Sequence, residues 1–139
     1  MKTCVIALVA AFALLSVNAC GSSELSQDEL ENEAESVQSL AAEADLLVGD
    51  AAAGRAPSPY ISVHADELAE EARSSQEDLS QPASDQDVKE RAQRLAQDVS
   101  RIADALEKLE SSPSQQTAQQ LKPEVARLHQ DVDAAVKKL

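Results

Sequence analysis

Four stretches of the chain repeat apolar residues every three or four positions. The clearest holds Val88, Ala92, Leu95, Val99, Ile102, Leu106 and Leu109, with spacings that alternate four and three without a break. That alternation averages half a heptad, so the residues form one seam of the a/d type along an α-helix. Lys89, Glu90, Arg91, Arg94, Gln97, Asp98, Arg101 and Glu107 lie between them and form a solvated face. Ahead of the seam, Ser84-Asp85-Gln86-Asp87 reads as a capping box, with the Ser84 hydroxyl accepting from the Asp87 amide. "SSPS", residues 111–114, ends the helix.

The fourth stretch repeats the seam through Ala118, Leu121, Val125, Leu128, Val132, Ala135 and Leu139. Pro123 lies inside it. Proline lacks an amide hydrogen and crowds the preceding turn, so a kink is expected there. Ser114 is the expected N-cap. The first stretch, from about Gln27 to Ala53, carries Leu30, Ala34, Val37, Ala41, Ala44, Val48 and Ala51, widened by Leu40 and Leu47. Ser26 and Glu29 offer its cap, Asp28, Glu29, Glu31 and Glu33 suit the positive end of the helix dipole, and Gly54 fits the C′ position. The second stretch is the least regular. Ser58-Pro59 reads as N-cap and first helical residue. Ile61, Ala65, Leu68, Ala72 and Leu79 mark its stripe, which Ser75 and Gln76 interrupt.

The links "GRAPS", "QPAS" and "SSPS" are short, and short links make consecutive helices antiparallel neighbours. The expected fold is all-α, an up-down-up-down four-helix bundle over residues 27–139. The alternative is helix 1 as a stalk carrying a three-helix bundle. Alanine at many seam positions predicts closely spaced helices and a thin core.

Composition sharpens this picture. The chain has 139 residues and a formal charge of −13, with one Phe (Phe12) and one Tyr (Tyr60). Strand-like runs of β-branched and aromatic residues are absent. High charge and few aromatics also fit disorder, but the sustained periodicity argues for folded helices. A strongly acidic chain is ill suited to nucleic-acid phosphates or to an anionic lipid surface.

The first twenty residues break from the rest. Met1-Lys2-Thr3 precedes an uncharged, mostly apolar segment over residues 4–17, too short to favour a membrane span and of the length of a signal-peptide core. "VNAC", Val17 to Cys20, follows. This stretch resembles the lipobox of bacterial lipoproteins, although Asn18 is a less usual occupant of its position. The resemblance implies cleavage before Cys20, a diacylglycerol on its thiol and often an acyl chain on its amine. It covers only the first two dozen residues and implies location, not activity. Residues 1–19 are then a signal peptide and 20–26 a lipidated tether. Removing the signal leaves 120 residues and, since it carries one Lys and no acid, a charge of −14. Cys4 would leave with it, so Cys20 would have no thiol partner. A thioether to lipid removes that liability, and two or more acyl chains give stable anchoring where one does not. Gly21, with no Asp at that position, resembles outer-membrane sorting if the host is Gram-negative.

No catalytic constellation stands out. His64 and His129 flank their stripes, and as residues on diagonal helices about 15 Å apart in height they should not meet. Glu-x-x-His pairs, calcium-loop spacing, Gly-x-Ser-x-Gly and phosphate-cradling glycine loops are absent from the sequence. The expectation is a chain that is not an enzyme and needs no cofactor or metal. "RAPSPYISVHADEL", residues 55–68, is the least generic stretch. Tyr60 either plugs the open end of the bundle or heads a recognition tip with Arg55 and His64, since Tyr and Arg dominate binding hot spots. The functional expectation is a noncatalytic protein-interaction module of the cell envelope, held to a membrane by lipid on Cys20, with an envelope protein as partner and self-association as a variant. The alternative is a small-ligand or metal carrier using the bundle interior.

Overall fold

The computed structural model describes residues 24–139. The segment read as a signal peptide, with Cys20, lies outside the described residues. Four helices follow in order: α1 (Gln27–Ala52), α2 (Ser58–Leu79), α3 (Gln86–Ser111) and α4 (Gln115–Val136).

Hydrogen bonds between the ends establish the topology. At one end Leu25 N–H donates to the Pro82 carbonyl (2.7 Å), Ser84 N–H donates to the Leu25 carbonyl (2.9 Å), and Gln27 Nε2 reaches the Leu139 carbonyl (3.5 Å). The start of α1, the α2–α3 link and the end of α4 therefore meet there. At the other end Ser62 Oγ reaches the Glu110 carbonyl (3.3 Å), and Gln115 Nε2 donates to the Ala52 carbonyl (3.0 Å). The chain runs up, down, up and down. Helix α1 packs on α2, α3 and α4, so it is part of the bundle and not a stalk.

The bundle is a flattened square. Helices α1 and α3 meet across one diagonal, while α2 and α4 do not meet across the other. Burial follows: α1 and α3 each bury ten residues, α2 seven and α4 five. The inner pair needs the wider apolar stripe, which is why Leu40 and Leu47 flank the α1 seam, and Ala96, Ala103 and Ala105 flank the α3 seam. Alanine at these flanking positions lets neighbouring backbones approach closely.

All seven residues of the α3 seam are buried, as are the seven seam residues of α1. The α4 seam is buried through Val132, and Ala135 and Leu139 are half-buried at its end. In α2 the structure corrects the sequence reading. Ser75 does not interrupt the stripe; it continues the four–three spacing between Ala72 and Leu79 and is 7% exposed. A serine has nearly the volume of an alanine, so it fits the same close contact. The packed structure also begins earlier than α1. Leu25 is buried against the core, inside the segment read as tether.

The helix ends show which local signals decide. Ser26 and Glu29 form the expected capping box. Glu29 N–H donates to the Ser26 hydroxyl, and the Ser26 amide donates back to the Glu29 carboxylate at 2.8 Å. That backbone bond, with a second from the Ser26 hydroxyl, holds the Glu29 carboxyl below its ordinary pKa. Ser114 caps α4 through the Thr117 amide (3.1 Å). For α3 the cap is Asp85 rather than Ser84: its carboxylate accepts from the Asp87 and Val88 amides at 3.0 and 2.9 Å. Ser84 is instead occupied by the backbone bond to Leu25. For α2 the helix begins at Ser58 and the cap is Pro57, with no side-chain bond. Gly54 ends α1 at φ 67°, and the Gly54 and Arg55 amides donate to the Ala51 and Asp50 carbonyls, a Schellman motif. Helix α4 continues through Pro123. The proline is exposed, so the carbonyl of Gln119 that it leaves without a helix partner can meet water.

Two outcomes check this fold. Val99→Asp places a charge at a fully buried mid-seam position and is expected to cost more than about 4 kcal/mol, on the scale of a small domain's whole stability. Circular dichroism should show cooperative loss of helix; an unchanged thermal melt would overturn the seam assignment. Ser114→Ala should cost about 1 kcal/mol by chemical denaturation, while Ser84→Ala, which keeps the backbone bond, should cost little.

Candidate functional site

The sequence-selected stretch lies at the end of the bundle opposite Leu25. Helix α1 is 26 residues long, which places this end about 35–39 Å from the entry of the chain. The structure brings together two of the three selected residues. Tyr60 and His64, one turn apart on α2, stack with ring centroids 4.2 Å apart and planes tilted by 57°. His64 Nδ1 is 3.3 Å from the Glu67 carboxylate, one turn further on. The three form a ladder on the outer side of the helix. Arg55 is not part of it. Its guanidinium turns back to Asp50 at the end of α1, at 2.5 Å.

Tyr60 is 52% exposed, so it does not plug the bundle end. The end is closed from within. The Gln115 and Gln119 side chains, from the start of α4, both donate to the Ala52 carbonyl at the end of α1. An exposed Val63 (58%) lies beside Tyr60 on the same face. A third exposed large apolar residue, Leu46 (66%), lies on the outer face of α1. Sequence reasoning missed both. Val63 carries a signal in hindsight, since it falls off the α2 stripe by two positions from Ile61. Leu46 was masked by adjacent Leu47, which is buried.

The charge of the molecule is not spread evenly. Residues 24–85, which include α1 and α2, contain 16 acidic side chains and two basic ones. Residues 86–139, which include α3 and α4, contain nine of each. The pairing differs as well. On α3 and α4, Asp87 pairs with Arg91, Glu124 with Arg101 (3.0 Å) and Asp131 with Arg127 (3.6 Å). On the α1–α2 half, Asp50 is the one acid paired with an arginine or lysine among the described residues. The other arginine of that half, Arg73, is bound to Asp104 (2.7 Å) and Glu107 (2.8 Å) of α3, which hold its guanidinium more firmly charged than usual.

Two further polar groupings lie away from the tip. His129 of α4 is half-buried against α1, with Nδ1 3.2 Å from Asp45 and Nε2 3.9 Å from Asp133. It shares no partner with His64. A surface groove of about 380 Å³ runs between α3 and the end of α4, over Leu30 and Leu95. Arg91, Arg94 and Lys138 stand on it beside Asp98 and Asp131. Partial burial, and then the like charge of Asp131, push the Asp98 carboxyl above the usual aspartate range, against the pull of Arg101 and Arg127. Among the described residues no group of three or more His, Cys, Asp or Glu side chains is placed to hold a metal ion. None of the described helices is long and apolar enough to cross a membrane. Compared with family models, curated proteins and solved structures, the chain matches none.

The groove yields a pH prediction. A carboxyl whose pKa is raised by folding binds its proton more tightly in the native state, so stability falls as pH rises from the ordinary aspartate value to the raised one. Above that window the penalty is constant. Asp98→Asn should therefore raise Tm at pH 7, by no more than about 2 °C because the group is only partly buried, and the gain should vanish in acid. Thermal melts across pH check this. For the tip, Tyr60→Ala should change stability by no more than about 0.5 kcal/mol, because an exposed ring contributes little to the core; a loss of several kcal/mol would restore the plug reading.

Proposed function

We propose that this chain is a bacterial lipoprotein whose acidic helical bundle is a noncatalytic protein-binding module of the cell envelope. Lipid on Cys20 holds it to a membrane, and the Tyr60–Val63–His64 patch is its recognition surface. The observation that carries this reading is the exposure of Tyr60 and Val63, side by side, at the end of the bundle furthest from the tether. The chain enters at Leu25, and five residues of chain from Cys20 reach at most about 18 Å. A bundle standing on that tether would hold the patch clear of the lipid surface. Exposed aromatic and aliphatic side chains cost water contacts in the free protein and repay them only when covered. The tyrosine is also the residue type that carries a large share of binding energy in protein interfaces.

A second reading, a carrier for a small ligand, draws on the groove between α3 and α4 rather than on the bundle interior. Its volume is at the low end of ligand sites. It is charged along its rim, and nothing converges in it as a nucleophile or ligand set. The binding-module reading is the better supported.

Two measurements test the proposal. Cys20→Ser should abolish incorporation of a lipid analogue and release the protein from the membrane fraction; continued labelling would end the lipoprotein reading. A photo-crosslinking residue at position 63 of the full chain, expressed in its own host, should give a discrete protein adduct that Tyr60→Ala weakens about tenfold or more. Native mass spectrometry showing a stoichiometric small molecule and no protein adduct would favour the carrier instead.

A further inference from the structure

We infer that the partner is a cationic protein surface, and that it docks along the outer face of α1 and α2, around Leu46, Tyr60 and Val63. This rests on the binding-module reading. The first observation is where the exposed apolar residues are. All three of the large ones among the described residues lie on α1 or α2. Leu46 is six residues before the end of α1 and Val63 is five residues after the start of α2. On antiparallel neighbours these distances correspond to about 9 and 8 Å from the same end, so the two residues are level.

The second observation is what surrounds them. Glu43 and Asp50 flank Leu46 one turn to either side, and Glu67 and Glu71 follow Val63 on the Tyr60 side of α2, while Asp66 and Glu70 lie on the α3 side beside Arg73. An apolar centre within a charged rim is the ordinary layout of a protein interface. Here the rim is mainly acidic, Arg55 on Asp50 excepted.

The third observation is that this charge is left unneutralised. The α3–α4 half balances its own acids, and it even draws Arg73 across from α2 to do so. The α1–α2 half retains one arginine pair for 16 acids. Unpaired like charges on a helix face repel and slightly destabilise the fold. A positive surface would relieve that repulsion, speed encounter and fix register. The same argument excludes a second copy docking through this face. A twofold dimer would set the acidic half against itself.

The test separates the local face from net charge. The full lipidated chain, with a photo-crosslinking residue at position 63, is expressed in its host in three forms. One is otherwise unchanged. One carries Glu67→Lys and Glu71→Lys, exposed positions on α2. The third carries Gln93→Lys, Gln97→Lys, Gln116→Lys and Gln120→Lys, exposed positions on α3 and α4 that make the same total charge change. The expected result is an adduct whose partner, identified by mass spectrometry, is lost about tenfold in the α2 variant and kept in the α3–α4 variant. An adduct that survives the α2 reversal overturns the cationic-partner inference while leaving the binding module intact. Equal loss in both variants shows dependence on net charge alone and also overturns it. Failure to form any adduct at position 63 removes the binding-module reading, and this inference with it.

Discussion

Close approach of small side chains along the four seams governs the rest of this structure. Ala34, Ala41, Ala44 and Ala51 alternate with larger residues on α1, and Ala92, Ala96, Ala103 and Ala105 do so on α3. Where alanine meets a neighbour the backbones come near, and the two helices richest in buried alanine become the inner diagonal. Two consequences follow. The interior mixes alanines with leucines such as Leu30, Leu40, Leu106, Leu109 and Leu128 that fill the space between helices. And the helices outside that diagonal are half solvated, so α2 and α4 have broad outer faces whose residues the core does not dictate.

A thin core also shifts weight to the ends. Burying a leucine contributes about 1.5–3 kcal/mol and an alanine much less, so each seam alanine leaves more of the stability to caps and links. The structure uses them fully. Three helices have side-chain caps, α1 closes on Gly54, and Gln115 and Gln119 satisfy a carbonyl that the α1 terminus would leave open. Leu25 ties the chain entry to the α2–α3 link through two backbone bonds. These ties hold the start of α1 in the bundle, where a short-link argument alone left a stalk as an alternative.

The seams were legible in the sequence because period 3.5 leaves few other folds for an all-helical chain. Most caps were legible because their chemistry is local. The errors lay where a distant partner decides. Ser84 looked like a cap, but its amide is used by Leu25, and Asp85 takes the capping role. Ser75 looked like an interruption, because polarity was weighed and the tightness of the α2 contact could not be seen. The site was legible in part. Tyr60 and His64 stood out by composition, and they stack. Arg55 stood out equally and is consumed by Asp50. Leu46 and Val63 could not be recognised as a patch until α1 and α2 were known to be neighbours with those residues at one height.

The same holds for the charge. The excess of acid before residue 86 is visible in the chain, but a bundle could have mixed it with the basic residues of the second half. Among the described residues, Arg73 on the α2–α3 boundary and His129 against Asp45 on the α1–α4 boundary cross between the halves. Most acids of α1 and α2 are exposed, and three exposed apolar side chains lie on the same two helices. A surface of this kind need not bind tightly in solution to be useful. If module and partner are both confined at one membrane, effective concentrations in the millimolar range make modest intrinsic affinity sufficient. Salt-sensitive steering would then supply the selection that three exposed apolar residues would not supply alone.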